Sequence, residues 1–153
     1  MKQLFQYNWQ VREDWFNWCK QFTTEQLLEK RAGGFGNILH TLLHIIVVEY
    51  DWINDLNGGK GFEFKLEEFK SIDDVIKLHN DWHEEVERFV TEWKEEMSSQ
   101  ILELDDGRSF TYGEVVNHII VHEIHHIGQL SVWARELGST PISANLIGRG
   151  LQF

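Results

Sequence analysis

The 153-residue sequence predicts an all-α protein, a four-helix bundle with a small hairpin or extended turn ahead of its last helix. Three observations carry this. Apolar residues recur at spacings of three and four along nearly the whole chain, the period of one helix face. Capping and breaking residues divide that pattern into four long segments and one short one. Each long segment has a single apolar stripe, and four such stripes are best buried against one another. The length fits one domain over residues 1–153, large enough to bury a core without disulfide staples.

The first long helix runs from about Leu4 to Phe22, with Phe5, Trp9, Phe16 and Cys19 on one row and Leu4, Val11, Trp15, Trp18 and Phe22 beside it. Thr23-Thr24-Glu25-Gln26 reads as a capping box that opens a short helix to about Lys30. Gly33-Gly34-Phe35-Gly36 breaks the pattern. A second long helix spans about Asn37 to Leu56 and stops at Asn57-Gly58-Gly59. An irregular stretch follows, with Phe62, Phe64, Leu66 and Phe69 able to dock on a core. Ser71 caps the third long helix, with Asp73 and Asp74 near its positive end. Its stripe is Ile72, Val75, His79, Trp82, Val86, Phe89 and Trp93, and the helix fades near Met97. Alternation around Asp106-Gly107 marks the hairpin or extended turn. Thr111 to Glu114 is a second capping box, opening a fourth long helix that ends at Leu137-Gly138, with Pro141 just beyond. The tail from Ile142 to Phe153 is expected to be extended over the bundle. The connections between the second and third and the third and fourth long helices are each about a dozen residues, which permits antiparallel neighbours or a crossover.

Composition narrows the function classes. Lys and Arg total 14 against 25 Asp and Glu, a formal charge of −11. Such a surface repels phosphate backbones and has no basic groove, which argues against nucleic acid as a partner. The acidic pairs Glu67-Glu68, Glu84-Glu85 and Glu95-Glu96 read as solvated faces. Leu42 to Val48, the densest apolar run, is interrupted by His44 and is too short to cross a bilayer. The segment after Met1 lacks the apolar region of a signal peptide, and Cys19 is the single cysteine, so a cytoplasmic location is expected. Cys19 itself reads as a small buried residue, not a nucleophile. The tryptophans at helical spacing read as core, with Trp18 expected to be partly exposed on a dimer face.

The chemistry-bearing signal is histidine placement. There are eight, His40, His44, His79, His83, His118, His122, His125 and His126, all in predicted helices. They form i, i+4 pairs: 40/44, 79/83, 118/122 and 122/126. Two imidazoles so spaced stand about 40° apart and one turn along a helix, which lets both reach one ion. A pair alone is more economically read as core histidines satisfied by hydrogen bonds. Eight on inward rows is another matter, because an apolar core gains nothing from so many imidazoles, each needing a polar partner. His122 and His126 make the best pair. The pattern His122-Glu123-Ile124-His125-His126 has the zincin spacing, but no third zincin ligand follows. The third donor should come from a facing helix, and the second offers His44 or His40.

Two segments resemble the DinB (damage-inducible) family. Asn117-His118-Ile119-Ile120-Val121-His122-Glu123-Ile124-His125-His126-Ile127-Gly128-Gln129-Leu130 is similar to its final-helix signature. Leu39 to Trp52, an apolar run with His44 followed by Glu49, Tyr50, Asp51 and Trp52, is similar to its second-helix signature. The Thr-Glu-Gln-Leu short helix and the Asp-Asp-Gly turn extend the resemblance over nearly the whole chain. It implies an up-down-down-up bundle with one divalent metal, usually zinc or nickel, held by His44, His122 and His126. It also implies a homodimer, and a low-molecular-weight thiol such as bacillithiol or mycothiol as co-substrate.

Three functional readings follow. A three-imidazole site keeps a position open for catalysis, and with the thiol co-substrate that the resemblance implies the first reading is a metal-dependent thiol S-transferase. The second reading is a non-catalytic metal-binding or small-ligand-sensing bundle of a stress response. The third is a metal-dependent hydrolase, for which Glu49 is the nominated carboxylate. A charged thiol would want basic residues near the metal, and the sequence offers Arg135 and Arg149. Partners for the ligands' second ring nitrogens are Glu49, Asn117, Glu123 and Gln129, with Glu123 expected to face solvent and His118 or His125 able to line the cleft. His79 and His83 are assigned to core or cleft lining.

Overall fold

Side-chain caps open the helices that follow the first. The computed structural model describes residues 1–151. Helix α1 (Lys2–Cys19) begins after Met1 without a side-chain cap. Thr23 Oγ1 accepts from Gln26 N at 3.2 Å, and Gln26 Oε1 accepts from Thr23 N at 2.9 Å, which starts α2 (Thr24–Leu28). Asn37 Oδ1 accepts from His40 N at the head of α3 (Ile38–Leu56). Ser71 and Asp74 make the same reciprocal box for α4 (Ile72–Glu92), and Thr111 and Glu114 for α5 (Tyr112–Glu136). Each box satisfies two backbone donors that a helix start would otherwise leave bare.

Strands β1 (Ile101–Glu103) and β2 (Ser109–Thr111) form an antiparallel hairpin with Leu102 opposite Phe110. Its tip turns at Gly107, whose φ of +86° is strained for any side-chain-bearing residue. The expected fading of the third long helix near Met97 is corrected. The helix stops at Glu92, because buried Trp93 swings to ψ +131°, and a 3₁₀ turn covers Glu95–Ser99. That turn lies against the start of α5, where a Cβ at position 113 would collide with Ser98 Oγ, so Gly113 permits the approach.

Contacts fix the directions. Arg12 meets Glu123 and Trp18 meets Thr140, so α1 and α5 run parallel. His44 meets His122 and Leu56 meets Tyr112, so α3 runs opposite to α5. Trp9 packs on His83 and Phe16 on His79, so α4 opposes α1. The long helices α1, α3, α4 and α5 therefore run up, down, down, up. In cross-section α1 and α3 each touch both α4 and α5.

The core has two apolar halves. One gathers Trp15, Leu39, Leu43, Leu130 and Trp133; the other gathers Phe5, Ile53, Phe89, Val115 and Ile119. A polar layer separates them: Asn8 and Arg12 of α1, Glu49 of α3, His79 of α4 and Glu123 of α5, all buried. The tail lies on α1 as expected. Tyr7 Oη donates to the Ala144 carbonyl at 2.7 Å, and Arg149 pairs with Asp14 at 3.1 Å. Gln152 and Phe153, part of the tail expectation, lie outside the described residues. Among the described residues no helix is long and apolar enough to cross a membrane.

Candidate metal centre

His44 and Trp52 stand two turns apart on α3, and His118, His122 and His126 stand at successive turns of α5. Because the two helices are antiparallel, these rows face each other along one groove. Near its upper end three imidazoles converge. His122 Nε2 lies 3.0 Å from His44 Nε2 and 3.1 Å from His126 Nε2. One ligand atom from each of the three lies within 4.8 Å of the others, so the trio is positioned to hold a metal ion. Tetrahedral Zn–N bonds of about 2.0–2.1 Å separate ligand nitrogens by roughly 3.3 Å, close to these spacings.

The protonation pattern suits that use. Burial, reinforced by the charges of His126 and His44, pushes the His122 pKa down to about 3. Burial also lowers His44 and His126 from the usual imidazole value. All three rings are therefore neutral near pH 7. His126 Nδ1 lies 2.7 Å from Gln129 Oε1, an oxygen that only accepts, so Nδ1 carries the proton. That leaves the Nε2 lone pair of His126 directed at the trio. Gln129 Nε2 in turn donates to His125 Nε2 at 3.2 Å. Of the four residues weighed for this orienting role, Gln129 fills it. Above the trio, Phe35 from the glycine-rich loop stacks on His44 with ring centroids 4.8 Å apart.

The remaining histidines separate cleanly. His40 Nδ1 is 3.0 Å from Asn37 Nδ2 and takes no part in the trio, so of His40 and His44 it is His44 that stands with His122 and His126. His118 and His125 are exposed, and His118 lines the groove one turn from His122, their ring centroids 5.7 Å apart. His79 belongs to the polar layer, where burial and the charge of Arg12 push its pKa down to about 3. His83 packs edge-on to Trp9.

Arg12 is the residue that sequence reasoning missed. Its guanidinium makes two paired contacts: Nη1 and Nη2 to Glu49 at 2.7 and 2.9 Å, Nε and Nη2 to Glu123 at 2.9 and 2.6 Å. Burial alone would lower the Arg12 pKa, but Glu123 and Glu49 outweigh it and the group stays charged. Burial raises Glu123, against the opposing pull of Arg12. The expectation that Glu123 faces solvent is overturned: it is 1% exposed. Glu49 is no free base, because its oxygens accept from Arg12 and from Trp9 Nε1. Asn117 is exposed. Trp18, expected on an outer face, is buried and donates to Ser139 and Thr140. Cys19 is buried as expected, and burial pushes its thiol up to about 12, so it is inert as a nucleophile.

Comparison with known proteins agrees with this architecture. The model of the DinB family matches residues 1–149. A protein of Bacillus subtilis (strain 168), Uncharacterized protein YizA, is 44% identical over 99% of this chain and 97% of its own length. The crystal structure of a DinB-like protein from Bacillus cereus ATCC 10987 superposes with a TM-score of 0.65 at 23% identity, covering 92% of this chain and 94% of that one. At that identity the likeness concerns the fold.

Proposed function

The chain belongs to the DinB family, and from that premise we propose that it is a single-domain cytoplasmic protein binding one zinc or nickel ion through His44, His122 and His126. The observation carrying this is the convergence of three neutral imidazole nitrogens with spacings of 3.0 and 3.1 Å. Three protein ligands are the catalytic pattern, whereas a structural site would be closed by a fourth. A divalent cation supplies Lewis acidity that lowers the pKa of a thiol brought to it. The reaction we assign is S-transfer, in which the S–H bond breaks and its proton passes to solvent, a C–S bond forms at an electrophilic carbon, and the bond from that carbon to its leaving group breaks with the leaving group departing as an anion. Gln129 holds His126 in the required tautomer, and Phe35 fixes the plane of His44.

One observation favours the second reading, a bundle that binds metal without catalysis. Arg31, Arg135 and Arg149 are engaged elsewhere: Arg31 with Glu136 and Glu29, Arg135 with the Ser131 carbonyl, Arg149 with Asp14. None is offered to the carboxylates of a charged thiol. The discriminating experiment starts with tag-free protein reconstituted with zinc or nickel. One equivalent of retained metal is the expected result, and less than about one-tenth overturns the site. Conjugation of a neutral thiol to 1-chloro-2,4-dinitrobenzene should then depend on the metal. A rate indifferent to metal assigns the protein to the binding-only class.

The homodimer is proposed on the outer face of α5, where Val121 (64% exposed), Ile124 and Val132 (56% exposed) form one apolar stripe. Val121→Glu with Val132→Glu should convert a dimer to a monomer in sedimentation velocity. A wild-type chain that sediments as a monomer overturns the proposal.

A further inference from the structure

Below the three imidazoles, the groove between α3 and α5 opens into a recess of about 230 Å³. Trp52, Phe110, Glu114, Val115 and His118 line it. Trp52 and Phe110 meet edge-on with ring centroids 5.9 Å apart, and Trp52 and His118 at 6.1 Å, so the walls are aromatic. Val115 is buried. The charged member, Glu114, already accepts from Thr111 N and Thr111 Oγ1 in the helix cap. The recess is not an isolated hollow, because His118 is its wall and also the next ring along α5 from His122.

We infer that this recess is the specificity pocket of the three-histidine site, holding a flat apolar group of a neutral or cationic substrate whose donor atom reaches the imidazole trio. The inference rests on the metal-site reading above. Size supports it, since an apolar cavity of about 150 Å³ already accepts benzene. Charge supports it too. No lysine or arginine lines the recess, Arg108 over the outer Phe110 ring is already paired with Asp106 at 2.7 Å, Glu114 stands at the rim, and the chain carries a net charge of −11, so an anionic group is disfavoured there. The spacing sets the substrate's shape. One helical turn, about 5.4 Å, separates the level of His122 from that of His118, so donor atom and ring are joined by a linker of about two carbons.

The test uses cobalt-loaded protein, in which a thiolate ligand gives an intense near-ultraviolet charge-transfer band. Titrations compare ethanethiol, 2-phenylethanethiol and 4-(2-mercaptoethyl)benzoic acid. The phenyl compound should bind about tenfold tighter than ethanethiol, the order expected for partial burial of one ring. The benzoate should lose that advantage. His118→Trp, at an exposed position, fills the recess from its rim and should erase the preference while leaving cobalt affinity intact. Trp52→Ala should weaken it with the fold checked by circular dichroism. Equal affinity for the two uncharged thiols, or a preference that survives His118→Trp, overturns the inference. A second arm separates it from the metal reading. Binding of 4-fluorobenzyl alcohol to metal-free protein is followed by fluorine NMR. Binding that His118→Trp abolishes upholds the recess even if cobalt is not retained, and absence of binding in both arms removes it.

Discussion

Replacing Arg12 with leucine should cost about 3–5 kcal/mol of folding stability, the range for breaking a buried ion pair by removing one partner. The reason is what the substitution leaves behind. Glu49 and Glu123 take adjacent edges of the guanidinium and share its Nη2, both are buried, and Arg12 supplies four of their hydrogen bonds. Without it, the two carboxylates share a low-dielectric interior with only the Trp9 Nε1–H left to Glu49, so most of their desolvation penalty goes uncompensated. A urea titration at pH 7 measures the loss as a lower midpoint, and a change under about 1 kcal/mol would show that the layer is not the clasp described. The pH dependence has a definite sign. Burial already raises Glu123 in the intact protein, and loss of Arg12 raises it further. A carboxyl whose folded pKa lies above its unfolded value is stable below the unfolded pKa and loses that stability as pH rises through the folded one. The variant's deficit should therefore shrink on acidification toward about pH 4 and grow on return to neutrality. The companion variant, Arg12→Leu with Glu49→Leu and Glu123→Leu, should recover most of the loss, because apolar replacement of a whole buried network is often neutral or stabilising.

That layer also marks where the sequence stops being legible. The element boundaries are written locally: Thr23, Asn37, Ser71 and Thr111 cap what they precede, and Gly107 and Gly138 adopt the positive φ that ends a turn or a helix. Such signals need only neighbours within a turn. The buried charges need the whole bundle. Arg12 falls on the row of Phe5, Phe16 and Cys19, and Glu123 on the row of Ile119, Ile127 and Leu130. The general rule that charges face water assigns both to the surface. The overlooked signal is that three charged residues of mixed sign each interrupt an inward row, which is the arrangement a paired buried network requires. Spacing alone leaves the choice between His40 and His44 open for a related reason, and it is the family resemblance that names His44. They share a helix face, and only the offset between α3 and α5 decides which meets His122. Trp93 shows the opposite limit, since its apolar spacing continues the helical stripe while its backbone has already turned extended.

The second large effect concerns the three imidazoles. If they hold a cation with a free energy of about 10 kcal/mol, each contributes about 3 kcal/mol, and losing one weakens binding by on the order of a hundredfold or more. His44→Ala, His122→Ala and His126→Ala should each show this in competition with a chelator of known affinity. Gln129→Ala should cost about tenfold, because it removes the acceptor that sets the His126 tautomer and not a ligand. His40→Ala and His79→Ala should leave affinity within about twofold, as neither ring belongs to the trio and alanine removes no donor the cation uses. Metal at a hundredfold excess over Kd should also stabilise the wild-type fold by about 2.7 kcal/mol, a gain that the three ligand variants forfeit. His79 is the informative control. It is buried, its ring is neutral at pH 7, and its Nδ1 lies 3.3 Å from Arg12, so it has the donor chemistry of a ligand without the position of one. A loss from His79→Ala as large as that from His122→Ala would place the cation in the polar layer, where a guanidinium already satisfies both carboxylates, and the three-imidazole site would have to be abandoned.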